Sequence, residues 1–173
     1  MELSALQDQV KLKVGRNILL LQQIERQLKF IVAHSAISGD QSTLLPNLER
    51  KKTSVGKRTL GMVSRDFING PLAQTSPDEF SGFHISYKFE YELSEQAIDQ
   101  LESLIVERNK LVHHFLEEVD FDSTISLEEA ADSLDASKET ILNVSENLSQ
   151  YVHALIESRK TSYEALAEHV KNL

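Results

Sequence analysis

The chain has 173 residues, no cysteine, 18 Lys and Arg against 27 Asp and Glu, and a formal net charge of −9 at pH 7. That length suits one domain, residues 1–173, whose core needs no disulfide or structural metal, and the missing thiols exclude a disulfide framework, a thiolate zinc site and a cysteine nucleophile. The acidic balance excludes loose, charge-driven binding to nucleic acid, so a nucleic-acid substrate requires basic groups gathered locally.

The first residues, MELSALQDQV, are acidic and polar rather than a secretory leader. No apolar run approaches the roughly 18 residues of a membrane span. The expectation is a cytoplasmic protein without a membrane partner. Leu3, Leu6, Val10, Leu21, Ile24, Leu28 and Ile31 recur at helical spacing and predict one long helix over about 4–34, with Gly15 as a weak point. SGDQS at 38–42 ends it. A short helix is predicted over 57–69, with Leu60, Val63 and Phe67 on one face, and NGP at 69–71 stops it. Pro71, Pro77 and Gly82 mark 71–83 as a loop.

HISYKFEYEL at 84–93 then alternates Ile85, Tyr87, Phe89, Tyr91 and Leu93 with polar residues, which is a strand pattern. A lone strand needs a partner, either a short upstream strand or a second subunit. Ser94 caps a helix expected to run to about Val119. Ser126 and Glu129 have capping-box spacing, and Leu127, Leu134, Ile141, Leu148 and Leu155 follow at seven-residue intervals. That seam is expected to break near SRKTS at 158–162, with a last helix over about 163–171. The expected fold is mainly α, an antiparallel helical bundle with one short β excursion around 84–93.

The helix after Ser94 carries the chemistry. Leu101, Leu104, Arg108, Leu111 and Phe115 step along one stripe, so a cation occupies the middle of an apolar seam. Asn109 and His113 share an edge of that stripe, whereas His114 points toward Glu107, Lys110 and Glu118. Five residues apart on an α-helix, Arg108 and His113 are separated by about 140°. They meet only if the arginine reaches sideways or if two copies of the helix face each other. A buried guanidinium needs an anion, which is either a carboxylate on another helix or a phosphate brought by a ligand.

The run Arg108-Asn109-Lys110-Leu111-Val112-His113 resembles the Arg-Asn-x-x-x-His signature of the HEPN domain family (higher eukaryotes and prokaryotes nucleotide-binding). The order of elements, a long first helix and a motif late in a later one, is similar too. The resemblance implies a HEPN-like helical bundle. As in many members, it also implies a metal-independent endoribonuclease that works as a homodimer in toxin–antitoxin or antiviral defence. In such dimers the arginine and histidine motifs of two subunits face each other across a cleft, which would resolve the angular mismatch. The implied catalytic residues are Arg108, Asn109 and His113, with His114 as an additional candidate, and no cofactor or metal is called for. RNA is the implied substrate and a cognate antitoxin or other protein an implied partner. The alternative is a non-catalytic HEPN-like module that binds a nucleotide, RNA or a protein. One departure is Phe115, where several toxin members carry a tyrosine.

The residue types suit the chemistry. Cleaving RNA through its 2′-hydroxyl requires one proton removed, one delivered and charge neutralised on phosphoryl oxygens. Histidine, with an ordinary pKa of about 6.5, exchanges protons near neutrality. Arginine offers a permanent planar fork for phosphate.

Elsewhere, RKKTSVGKR at 50–58 gathers Arg50, Lys51, Lys52, Lys57 and Arg58 in an acidic chain, and Arg65 extends the set. It reads either as an RNA-binding patch or as a solvated loop. Its VGK lacks the earlier glycine of a phosphate-binding loop. Arg16 and Asn17 interrupt the first helix's apolar face and are read as fixing its register. His34, His84, His153 and His169 have no metal-site spacing. Tyr87, Phe89 and Tyr91 are read as buried rings rather than a base-stacking platform.

Overall fold

The structure, a computed structural model, describes residues 2–70 and 84–171. The loop expected over 71–83 and the side chain of His169 lie outside the described residues. In chain order the elements are α1 (Leu3–His34), β1 (Ala36–Asp40), α2 (Leu44–Gly56), α3 (Leu60–Ile68), β2 (His84–Lys88), α4 (Glu95–Asn109), a π-helical turn (Lys110–His114), α5 (Phe115–Glu118) and α6 (Thr124–Lys171). The protein is mainly helical, with one short two-stranded antiparallel sheet. Among the described residues no helix is long and apolar enough to cross a membrane. The chain divides into two compact units, residues 1–26 with 93–146, and residues 27–92 with 147–173.

In the first unit the apolar positions of three helical segments form the core. Leu6, Val10, Leu21 and Ile24 of α1 are buried, as are Leu101 and Leu104 of α4, Leu111 of the π turn, and Leu127, Leu134 and Ile141 of α6. Lys13 reaches Ala131 O and Asp135, and Asn17 reaches Leu134 O, so α1 and α6 run in the same direction here. The α4–α5 segment runs against α6, with Glu107 opposite Ser137. Ser94 caps α4 as expected, its hydroxyl accepting from the Ala97 amide at 3.2 Å. At the start of α6 the cap differs from expectation. Ser123 accepts from the Ser126 amide at 3.3 Å, and Ser126 instead accepts from the Asp120 amide at 3.0 Å. The capping residue thus lies three positions earlier than the Ser126–Glu129 spacing suggested.

Arg16 and Asn17 have the structural role expected of them. Asn17 is fully buried, yet its amide donates to Leu134 O at 2.8 Å and its Oδ1 accepts from Arg16 Nε at 3.1 Å. Arg16 also bonds Asp135 at 3.0 Å, and Lys13 holds the other carboxylate oxygen at 2.6 Å. Those two bonds, Lys13's first, hold the Asp135 carboxyl below its ordinary pKa.

In the second unit β1 pairs with β2 in the register Ala36↔Lys88 to Asp40↔His84. The strand at 84–93 therefore has an upstream partner, and it is shorter than the alternation implied. It stops at Lys88 because β1 runs out where α1 ends, the last bond being Phe89 N to Ser35 O at 2.6 Å. Gly39 is required at its place, since a Cβ there would lie 2.8 Å from the Leu44 amide nitrogen. Asp40 Oδ1 accepts from the amides and hydroxyls of Ser42 and Thr43, which turns the chain into α2 and pulls that carboxyl down to about 2. Beyond β2, Tyr91 stacks on Phe67 at 4.8 Å and Tyr151 meets both rings edge-on. The Tyr91 hydroxyl donates to Phe67 O at 2.9 Å. Tyr87, Phe89 and Tyr91 are each half-buried, not the fully buried rings the alternation suggested.

The seven-residue seam of α6 is buried throughout, with Leu127, Leu134, Ile141, Leu148 and Leu155 each at most 2 % exposed. The expected break at 158–162 does not occur. Thr161 and Ser162 donate their hydroxyls to Glu157 O and Ser158 O, one turn back, so the polar run is satisfied inside the helix. α3 is shorter than expected, because Lys57, Arg58 and Thr59 separate it from α2.

Candidate functional site

The motif helix is not the uninterrupted α-helix its spacing predicts. It widens into a π turn over Lys110–His114, which spans Leu111, Val112 and the two histidines. Such a turn closes i→i+5 hydrogen bonds and is common at functional sites. Most of the interval from Arg108 to His113 lies inside it, so their angular separation is narrower than the α-helical value.

Arg108 departs from expectation in a second way. It is half-exposed rather than buried in the seam, and its Nη1 donates to Asn109 Oδ1 at 3.3 Å. The polar contact with α6 at this level belongs to Glu107, whose Oε1 accepts from Ser137 Oγ at 2.7 Å. The cost of desolvating a guanidinium therefore presses less on Arg108 than its position in the stripe implied.

The neighbouring charges are mostly committed. Glu118 takes Lys110 at 2.7 Å, which holds that ammonium above its ordinary pKa, and Glu117 takes His114 Nδ1 at 3.1 Å. Arg108 is the cation of this stretch that holds no carboxylate among the described residues. His113 and His114 are exposed, with ring centroids 6.3 Å apart. His113 lines an open groove of about 420 Å³ together with Lys11, Val14 and Gly15 of α1 and with Phe115 and Phe121. A Cβ on Gly15 would meet nothing within 4 Å, so the weak point of α1 is also a gap in the groove wall. Phe115 packs edge-on to Phe121 at 6.4 Å. By sequence Gly15 stands out only as a weak point of the helix, and Lys11 does not stand out.

The second group of expected residues lies in the second unit. Arg50 and Lys51 belong to α2, not to a loop, and with Arg58 they line a cavity of about 390 Å³. Lys52 is engaged by Glu49 at 2.8 Å, and Arg58 is bonded to Asp66. Lys57 and Arg65 are exposed and do not line that cavity.

Of the remaining histidines, His34 is half-buried, stacks on Phe30 at 4.5 Å and accepts from Arg159 Nη1 at 2.5 Å. Burial, and then the Arg159 charge, push its pKa down to about 4. His84 lines an apolar cavity beside Tyr87 and Arg159. His153 is exposed on α6. Among the described residues no three His, Asp or Glu side chains gather in a way that would hold a metal ion. The sequence matches no family model, and no curated protein or solved structure matches it.

Proposed function

We propose that the protein is a metal-independent endoribonuclease of the HEPN type, acting as a cytoplasmic homodimer in a toxin–antitoxin or antiviral role. The supporting observation is Arg108. It is a half-exposed guanidinium with no carboxylate partner among the described residues, one π turn from an exposed His113 that borders an open groove. In a dimer, one His113 takes the proton of the 2′-hydroxyl, and the 2′-oxygen attacks phosphorus. The bond to the 5′-oxygen breaks as the other His113 protonates it. Arg108 neutralises the phosphoryl oxygens, and Asn109 steadies its guanidinium. The products are a 2′,3′-cyclic phosphate and a 5′-hydroxyl. Val112 and Leu116, 43 % and 79 % exposed, supply apolar surface beside the motif for the second copy.

The second reading, a module that binds RNA, a nucleotide or a protein without cleaving, is favoured by Glu107, Glu117 and Glu118. These place three carboxylates around the motif, where they oppose a polyanion. Incubation of purified protein with RNA in EDTA separates the two. The enzyme reading requires cyclic-phosphate ends with wild type and intact RNA with His113→Ala. Intact RNA with both, alongside retained binding, selects the second reading.

A further inference from the structure

The cavity in the second unit collects an unusual set of side chains for a chain of net charge −9. Arg50, Lys51 and Arg58 line it with Asp66, so among the described residues three cations face one carboxylate and two positive charges are left over. Its walls add the hydroxyls of Ser35 and Ser54, the amides of Asn47 and Asn69, and the apolar faces of Val32 and Val55. Lys51 and Arg58 are half-buried and Arg50 is exposed. Burial, and then the nearby Arg58 charge, bring the Lys51 ammonium down to about 8. Among the described residues one of its three N–H donors is used, on Ala36 O at 2.8 Å. Arg50 makes a single side-chain bond among the described residues, to Asn47 Oδ1 at 3.3 Å. Two cations close enough to repel each other, in a partly desolvated hollow with donors to spare, are stabilised by an anion between them. At about 390 Å³ the hollow falls within the size of small-molecule sites, and its concavity suits a compact ligand better than a polymer strand.

We propose that this cavity binds a small phosphate-monoester dianion, held by Lys51 and the guanidinium groups of Arg50 and Arg58. The proposal is independent of the nuclease reading, since every residue it uses lies in the second unit.

The test is an NMR titration of the full chain with inorganic phosphate, then with glycerol phosphate, at about 0.15 M NaCl, following the α2 amides. Saturable shifts are expected with both, the ester showing whether the apolar wall contributes. Lys51→Met and Arg50→Gln should each weaken binding about tenfold, while Lys57→Gln, outside the cavity, should change it less than about twofold. Should Lys51→Met fail to fold, the exposed Arg50→Gln carries the test. The proposal is overturned by the absence of saturation, or by equal weakening in Lys57→Gln, which would mean diffuse surface charge. It is also overturned if single-stranded RNA displaces phosphate from the α2 amides, which would make the cavity part of a strand-binding track.

Discussion

In the second unit an arginine and a histidine bond each other, whereas in the first unit the motif's Arg108 and His113 share no bond among the described residues. In the second unit the Arg159 side chain makes two hydrogen bonds. One nitrogen sits 2.5 Å from His34 Nδ1, another donates to the Tyr163 hydroxyl at 3.1 Å, and the guanidinium lies 5.8 Å from that ring's centre. An arginine only donates, so His34 must accept and is held neutral. In the first unit Arg108 bonds its own neighbour, and His113 faces solvent. A guanidinium beside an imidazole is therefore no signature of catalysis. What separates the pairs is whether the fold has already used their hydrogen-bonding capacity.

The strongest break of this comparison is kinetic. Arg108→Ala and His113→Ala should each lower RNA cleavage by roughly 10²- to 10⁴-fold. Because both residues are partly or fully exposed, their melting temperatures should stay within about 2 °C of wild type. Arg159→Ala should do the reverse, keeping cleavage while losing about 1–3 kcal/mol of stability, because it strands a half-buried imidazole nitrogen. Activity assays and melting curves on the three variants decide it. If Arg108→Ala unfolds the protein as readily as Arg159→Ala does, the distinction between the pairs disappears.

The locked pair also makes a pH prediction. His34 is depressed from 6.5 to about 4 in the folded state, so below pH 6.5 the unfolded chain binds a proton that the folded one does not. Stability from this site is intact above pH 6.5, falls as pH drops toward 4, and is lost below that. Denaturant titrations of wild type and His34→Gln at several pH values should diverge in that window. Parallel curves would mean that the imidazole is not held neutral. Asp40 and Asp135 lose their contributions at lower pH, in both proteins alike, so the difference isolates the histidine.

Which of these features could be read from sequence follows from the distance over which each is determined. The long helices and the α6 seam were legible because periodicity is local and Leu127 to Leu155 repeat without interruption. β1 was not, since Ser38-Gly39-Asp40 is turn chemistry on its own. It becomes a strand only because β2 arrives from more than forty residues away, as the pairing of Ser38 with Ser86 shows. The π turn was hidden too: Leu101, Leu104, Arg108, Leu111 and Phe115 fit an α stripe that says nothing of one widened turn. Arg50, Lys51 and Arg58 were legible as a charge run, but their convergence on one hollow, with Asp66 of α3 in its wall, is set by the tertiary fold. The motif residues stood out by type. Their exposure did not.

Asn17 tests whether the first unit has a lock of its own. Its buried amide bridges α1 to Leu134 O, with both polar ends answered. Asn17→Ala should cost about 1–3 kcal/mol, as the Leu134 carbonyl loses a donor and Arg16 loses an acceptor. Cleavage by the folded fraction should remain unchanged. A variant that retains full stability would show that Arg16, through Leu134 O and Asp135, suffices alone.

The smallest expected effect sharpens the picture of the open side. Gly15 lies inside α1, where glycine costs about 0.5–1 kcal/mol relative to alanine. Here a Cβ would touch nothing within 4 Å, so Gly15→Ala should stabilise the protein by that amount. The same residue lines the groove next to His113, so alanine should leave cleavage intact while Gly15→Trp fills the groove and suppresses it. Thermal melts combined with RNA cleavage by both variants separate stability from access. If the tryptophan variant is folded and cleaves normally, the groove plays no part in admitting substrate, and the exposed face of the π turn is left as its route to His113.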